Sequence, residues 1–197
     1  YNKFANNAIV NKPELINKDK FIILYSGSIS KRYGIMTLIN AFKNIKNDEF
    51  ILWICGEGDA KNDIINLAKM DKRVKYWGQI DVSHVHELQS KASLLINPRS
   101  ANDEYTKYSF PSKTIEYLVS GTPVLMNKLP CLTDDYYDYI FFYNETSVSL
   151  ATKILELKER GSDYLIEFGD KAKNFVLNNK NSYKQCGKIL KMLNDYK

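Results

Sequence analysis

The chain has 197 residues, 44% of them hydrophobic and 26% charged, which suits one domain with its own core, and no apolar run approaches the roughly 18 residues that cross a bilayer. Its formal charge of +5 comes from 28 Lys and Arg set against 23 Asp and Glu, scattered with no basic block or recognition motif, so no nucleic-acid partner is expected. Cys55, Cys131 and Cys186 lie far apart without CxxC spacing, which argues against a disulfide framework or zinc site and for a reducing, cytoplasmic setting.

The first twenty residues, YNKFANNAIVNKPELINKDK, begin with Tyr1 rather than Met and have no signal-peptide apolar region; they read as a linker remnant of a cut inside a longer protein. FIILYS at 21–26 is then a compact apolar run ending on Gly27, as a buried strand followed by a loop would. After Gly34, the residues Ile35, Leu38, Ile39, Phe42 and Ile45 place one apolar stripe on a helix. FILWIC at 50–55 repeats the strand signal and stops at Gly56-Glu57-Gly58, and Ile64, Ile65, Leu67 and Ala68 mark the next helix. VKYW (74–77) and SLLIN (93–97) predict two more strands around a shorter helix over 81–91.

A helix begun near Pro111 leads to PVLM at 123–126, and YIFFY at 139–143 predicts an edge strand. Leu150, Ile154, Leu155 and Leu157, residues 163–178, and Tyr183, Cys186, Ile189, Leu190 and Leu193 predict three closing helices. Strands without polar alternation, interleaved with amphipathic helices, predict a doubly wound parallel α/β sheet of Rossmann type over 21–178, with 179–197 as a terminal helix.

Ligands of such sheets bind beyond the carboxyl ends of the strands. Gly27 and Gly56 there let backbone approach a phosphate, although both also suit tight strand-to-helix turns and nothing more. Neither loop carries GxGxxG, which argues against a dinucleotide cofactor. The most informative stretch is NPRSANDEYTKYSFPSKTIEYLVSGTPVL, 97–125. Pro111 can open a helix whose first turn, Ser112, Lys113 and Thr114, presents free amides to an anion, with Lys113 adding a full charge and Glu116 able to accept from a ribose. The bland alternatives are that Ser112 caps the helix, Lys113 is solvated and Glu116 pairs with a lysine. His84 and His86, two apart on a helix, face different ways and predict no metal site. Tyr76 and Trp77 alternate faces of their strand, so one of them reads as core.

SFPSKTIEYLVSGTPVL resembles the signature of the GT4-like retaining glycosyltransferases of GT-B architecture. YSGSISKRYGIMTLINAF, ILWICGEGD, VKYWGQI and LLINPRS resemble that family's preceding donor-domain motifs in the same order. The resemblance implies a domain that binds a nucleoside-diphosphate sugar, with no cofactor and no metal, and an acceptor-binding domain N-terminal to it toward which the last helix returns. It further implies sugar transfer to a glycan or lipid-linked acceptor, at family level in polysaccharide biosynthesis, in the cytoplasm or at the inner face of a membrane.

Glu116 matches the family's ribose-binding glutamate. The partner glutamate eight residues earlier falls on Tyr108, a departure for which Glu104 or Asp103 is a candidate replacement at the sugar. The family's two first-loop cations fall on Ser28 and Tyr33, so Lys31, Arg32 and Lys113 are the candidates to hold the diphosphate together with Gly27, Ser28, Ser112 and Thr114. Lys113 and Lys31 then take the catalytic part, stabilising the leaving group. Gly56, Tyr76, Trp77 and Gly78 line the family's nucleobase region. A naturally separate donor subunit and a non-catalytic nucleotide-binding module remain as alternatives.

Overall fold

The structure is a computed structural model that describes residues 20–195; the predicted linker, apart from Lys20, lies outside them. Six strands, β1 (Phe21–Ser26), β2 (Phe50–Cys55), β3 (Val74–Gly78), β4 (Leu94–Asn97), β5 (Val124–Asn127) and β6 (Phe141–Tyr143), form one sheet in the order β3-β2-β1-β4-β5-β6. Every neighbouring pair is parallel. The helices are α1 (Ile35–Asn44), α2 (Lys61–Met70), α3 (Val82–Lys91), α4 (Ser112–Ser120), α5 (Ser147–Glu159), α6 (Ser162–Asn179) and α7 (Ser182–Asp195).

β1 explains why its sequence is apolar throughout. Phe21, Ile23 and Tyr25 point into one core with α1, α2 and α5, whereas Ile22 and Leu24 point into a second core with α3, α4 and α6. A strand buried on both faces has no reason to alternate polar and apolar residues. Charged groups at the margins tie the layers together: Arg73 donates to the carbonyls of Ile45 (2.6 Å) and Asn47 (3.1 Å), and its guanidinium is paired with Asp71 (2.6 Å).

The last strand is shorter than its sequence signal. YIFFY predicts strand from residue 139, but Asp134–Tyr139 winds into a 3-10 turn and pairing begins at Phe141. The Tyr139 ring stacks on Phe175 of α6, centroids 4.0 Å apart. That contact holds the residue against a helix and out of the ladder.

The sheet order reverses between β1 and β4. The chain leaves β1 toward β2 and β3 on one side, then returns to place β4, β5 and β6 on the other. The loops after β1 and β4 therefore diverge at the carboxyl edge and open the crevice where ligands of doubly wound sheets bind. The last helix, α7, is amphipathic but its apolar face is uncovered among the described residues: Tyr183, Ile189, Leu190, Met192 and Leu193 are each at least 54% exposed.

Candidate functional site

Three elements converge at the reversal point. The loop after β1 is bound edge-on to the loop after β2: the Gly27 amide donates to the Cys55 carbonyl (3.0 Å), and the Ile29 amide to the Glu57 carbonyl (2.8 Å). The Gly27 N–H is thus committed to the neighbouring strand end. Gly56 is required by this packing, because a Cβ there would lie 1.8 Å from the Gly27 carbonyl oxygen. Gly34, at φ 80°, allows the same kind of approach on the other flank, where a Cβ would lie 1.9 Å from the Pro98 carbonyl oxygen. The loop after β1 is thus bonded through backbone to the loop after β2, and its far end at Gly34 packs closely on the backbone just after β4.

α4 enters from above. Its N-cap position is Pro111, and no side chain caps the helix, so Ser112 does not play the capping part its residue type suggests. The first-turn amides have no intrahelical carbonyl to receive them, although that of Thr114 already donates to the Pro111 carbonyl (2.8 Å). Ser112 is exposed. Thr114 is fully buried, accepting from Asn97 Nδ2 (3.4 Å) and donating to Met126 Sδ (3.8 Å); its side chain anchors α4 to the ends of β4 and β5.

Lys113 reaches across to the first loop, where its Cε lies 3.7 Å from the position a Gly27 Cβ would take. Its Nζ pairs with Glu116 one turn on, at 3.0 Å to Oε2 and 3.3 Å to Oε1. Lys113 also lies close enough to Cys55 to favour its thiolate, yet burial dominates and pushes the Cys55 thiol up to about 12. Glu116 Oε1 accepts a second bond from Gln89 Nε2 at 2.7 Å. Beneath them the Tyr117 hydroxyl accepts from the Ser26 amide (2.9 Å) and donates to the Ser26 carbonyl (2.9 Å), clamping the end of β1.

The remaining first-loop residues are engaged differently. Ser28 is exposed, and its carbonyl accepts from the Tyr25 hydroxyl at 2.6 Å. Lys31 is held by acids of the next unit: its amide donates to Asp59 (2.9 Å) and its ammonium pairs with Asp63 of α2 (3.1 Å). The Arg32 guanidinium lies 4.5 Å from the centre of the Tyr105 ring. Tyr108 stands 83% exposed, and Glu104 is exposed at the start of a short 3-10 turn. Among the described residues, neither makes a hydrogen bond or ion pair with Lys113 or Glu116.

In the predicted nucleobase region, Tyr76 and Trp77 do face opposite ways. The Tyr76 hydroxyl donates to the Gly56 carbonyl (2.8 Å), and the ring packs on the first core. Trp77 packs on the second core, edge-on to Trp53 at 5.8 Å, with Lys75 Nζ 3.7 Å from its ring centre. The Gly78 carbonyl accepts from the Gly56 amide (2.8 Å), so this strip abuts the locked loops. Among the described residues no His, Cys, Asp and Glu cluster could hold a metal ion. His84 instead pairs with Asp81, the cap of α3, and that hydrogen bond raises its pKa.

Several site neighbours escape the sequence reading. Gln89 is a buried polar residue on a helix whose short apolar pattern hides it, and the only signal for it is its place beside Leu88 on the inward face. Arg99 directly follows Pro98 and lies over the Tyr33 ring at 4.9 Å. Glu145, at φ 37°, accepts from Ser100 Oγ (2.9 Å) and ties down the loop after β4; a lone acid after β6 gives no sequence hint of that contact.

The fold and the crevice define a Rossmann-like α/β domain of the GT-B architecture. The chain belongs to the group 1 glycosyl transferases, whose family model matches residues 7–182. No curated protein sequence matches the chain. Among solved structures it is similar to a sucrose-phosphate synthase from Thermosynechococcus elongatus, with 21% identity, TM-score 0.71, and coverage of 91% of this chain and 47% of that one. A glycosyltransferase from Rickettsia africae ESF-5 gives 19% identity, TM-score 0.73, and coverage of 97% and 53%. HepE of Anabaena, solved in complex with UDP and glucose, gives 16% identity, TM-score 0.70, and coverage of 90% and 49%. The chain thus spans about half the length of these relatives.

Proposed function

We propose that this chain is the donor-binding half of a glycosyltransferase that moves a hexosyl group from a nucleoside-diphosphate sugar to a glycan or lipid-linked acceptor, with retention of anomeric configuration. The observation that carries this reading is the placement of Lys113 and Glu116 on one turn of α4, with Lys113 lying over Gly27 at the reversal point of the sheet. One cation and one acid so placed suit the two polar ends of a nucleoside diphosphate. The ribose hydroxyls donate to Glu116, and the diphosphate meets Lys113 and the first amides of α4, with Arg32 at its outer side.

A helix N-terminus carries about half a charge, too little to balance a diphosphate, so the lysine supplies most of the stabilisation as the glycosidic bond opens. Protein groups in this way do the electrostatic work, and no cofactor beyond the nucleotide sugar is invoked. HepE, which shares the fold, was solved with UDP and glucose, and this supports the choice of ligand class. The exposed apolar face of α7 suits an N-terminal acceptor-binding domain, which supplies the other wall of the active site; without it the chain transfers no sugar. The assembled enzyme works in the cytoplasm or at the inner face of a membrane, in polysaccharide assembly.

The test is a thermal-shift series with UDP, GDP, ADP and CDP and their glucose conjugates. A ligand that binds only the native state raises the melting temperature with the logarithm of its concentration. One nucleoside diphosphate is expected to do so at sub-millimolar concentration. The absence of any shift up to 10-fold above that range, or sugar transfer by the chain alone, overturns the reading.

A further inference from the structure

Glu116 has two partners, and they differ in kind. Lys113 reaches it with a long, partly exposed side chain, at 3.0 and 3.3 Å. Gln89 reaches it from inside the protein: the residue is 1% exposed, and Nε2 donates to Glu116 Oε1 at 2.7 Å and to Ser26 Oγ at 3.2 Å. Because a carboxylate only accepts, the Gln89 amide nitrogen must be the atom that faces it. The Gln89 backbone carbonyl accepts from Thr122 Oγ1 at 2.7 Å, fixing α3 against the turn that ends α4.

We propose that Gln89 is a positioning residue for Glu116: it keeps the carboxylate aimed at the ribose when Lys113 leaves for the diphosphate. This rests on the donor-site reading given above. A diphosphate carries more charge than a carboxylate and draws the mobile ammonium away. Oε2, bonded to Lys113 at 3.0 Å in the free chain, then opens to a ribose hydroxyl. Oε1 stays on Gln89, whose second bond to Ser26 fixes it to the strand end that carries the Gly27 turn. Without that hold, Glu116 gains rotamer freedom on losing Lys113, and ordering it again weakens ribose binding.

The experiment measures, by calorimetry on the 197-residue chain, the affinity ratio of each of UDP, GDP, ADP and CDP to its 2′,3′-dideoxy analogue. Gln89→Leu is expected to cut the ribose preference roughly tenfold, the size of one charge-assisted hydrogen bond, with little change in dideoxy affinity. In a Glu116→Gln background it adds nothing further. Gln89→Glu gives a readout that a packing role does not move. At pH 8 two carboxylates face each other and the preference is lost; at pH 5 a shared proton restores the donor and the preference returns several-fold, relative to wild type at each pH. If wild type binds none of UDP, GDP, ADP and CDP, or shows no ribose preference for the one it binds, the donor-site reading fails and the proposal with it. If wild type shows a preference that Glu116→Gln abolishes while both Gln89 variants keep it, the proposal fails alone.

Discussion

The Gly56 α-carbon faces the Gly27 carbonyl so closely that a single added methyl carbon would lie 1.8 Å from that oxygen. Neither partner can swing away. The obstacle is backbone, and the Gly27 amide is itself bonded to Cys55, the residue before Gly56. Gly56→Ala is therefore expected to destabilise the chain by roughly 2 kcal/mol or more, through overpacking and a φ of 130°. Gly161→Ala is the control, since φ is 85° there but nothing lies within 4 Å of the added carbon. Urea denaturation of both variants checks this; equal losses would mean that strain alone matters and that the loops can part.

Which parts of this site were legible beforehand follows from how each residue signals itself. Gly27, Lys113 and Glu116 sit at strand ends and helix starts, where periodicity breaks and chemistry is expected, and the first loop and α4 do converge. Lys31 has the residue type of a phosphate ligand, yet Asp63, thirty-two positions on, engages it. Only tertiary structure reveals that competitor. Gln89 and Tyr117 were unreadable for the opposite reason: each lies within an ordinary buried helix face, and its polar atom matters only through residues more than twenty-five positions away in sequence. The apolar run 139–143 signals a longer strand than forms because the Tyr139 ring finds Phe175, a side-chain stack that no local propensity encodes.

The Lys113–Glu116 pair makes the two ends of the ligand separable. Lys113→Ala is expected to weaken a nucleoside diphosphate by about 1–3 kcal/mol, as for one charged hydrogen bond, while leaving the nucleoside unchanged or slightly tighter because Glu116 loses a competitor. Glu116→Gln should weaken both, the nucleoside somewhat more, because Lys113 is released from its pair with Glu116 and is free for the diphosphate. Added salt reduces the lysine-dependent part, since exposed charges are screened over about 10 Å at 0.1 M. Calorimetry with uridine and UDP in 0.05 and 0.5 M salt reads all three effects. Equal losses of nucleoside and diphosphate in Lys113→Ala would remove the lysine from the diphosphate.

Cysteine chemistry tests the packing at the same place. Cys55 ends β2 at 2% exposure, and burial lifts its thiol to about 12. Cys186 is exposed on α7 and Cys131 is half-buried. A thiol reagent at pH 8 is expected to modify Cys186 first, Cys131 more slowly, and Cys55 only after unfolding, because the thiolate is the reacting species. Mass spectrometry over time orders the three. Fast labelling of Cys55 in the folded chain would show that the floor of the crevice is open to solvent.

The Tyr117 hydroxyl provides the last test, and its sign can be worked out over pH. The side chain is fully buried, and its oxygen both accepts from and donates to the Ser26 backbone, at 2.9 Å in each case. Tyr117→Phe keeps the ring but leaves a buried N–H and C=O without this partner, at a cost of about 1–3 kcal/mol. Burial raises the phenol above its ordinary value of 10.0 in the folded chain. The neutral form is thus favoured by folding, and its contribution is complete below the unfolded value and declines as pH rises past it. Tyr25 and Tyr143 are raised by burial as well, so the wild-type chain should lose stability steadily above about pH 10. In Tyr117→Phe the loss at pH 7 should be largest, and the gap to wild type should narrow as the pH climbs. Urea titrations at pH 7, 9 and 11 measure the gap. A gap that stays constant would mean that the hydroxyl titrates alike in both states, which a fully buried phenol bonded to the end of β1 cannot do.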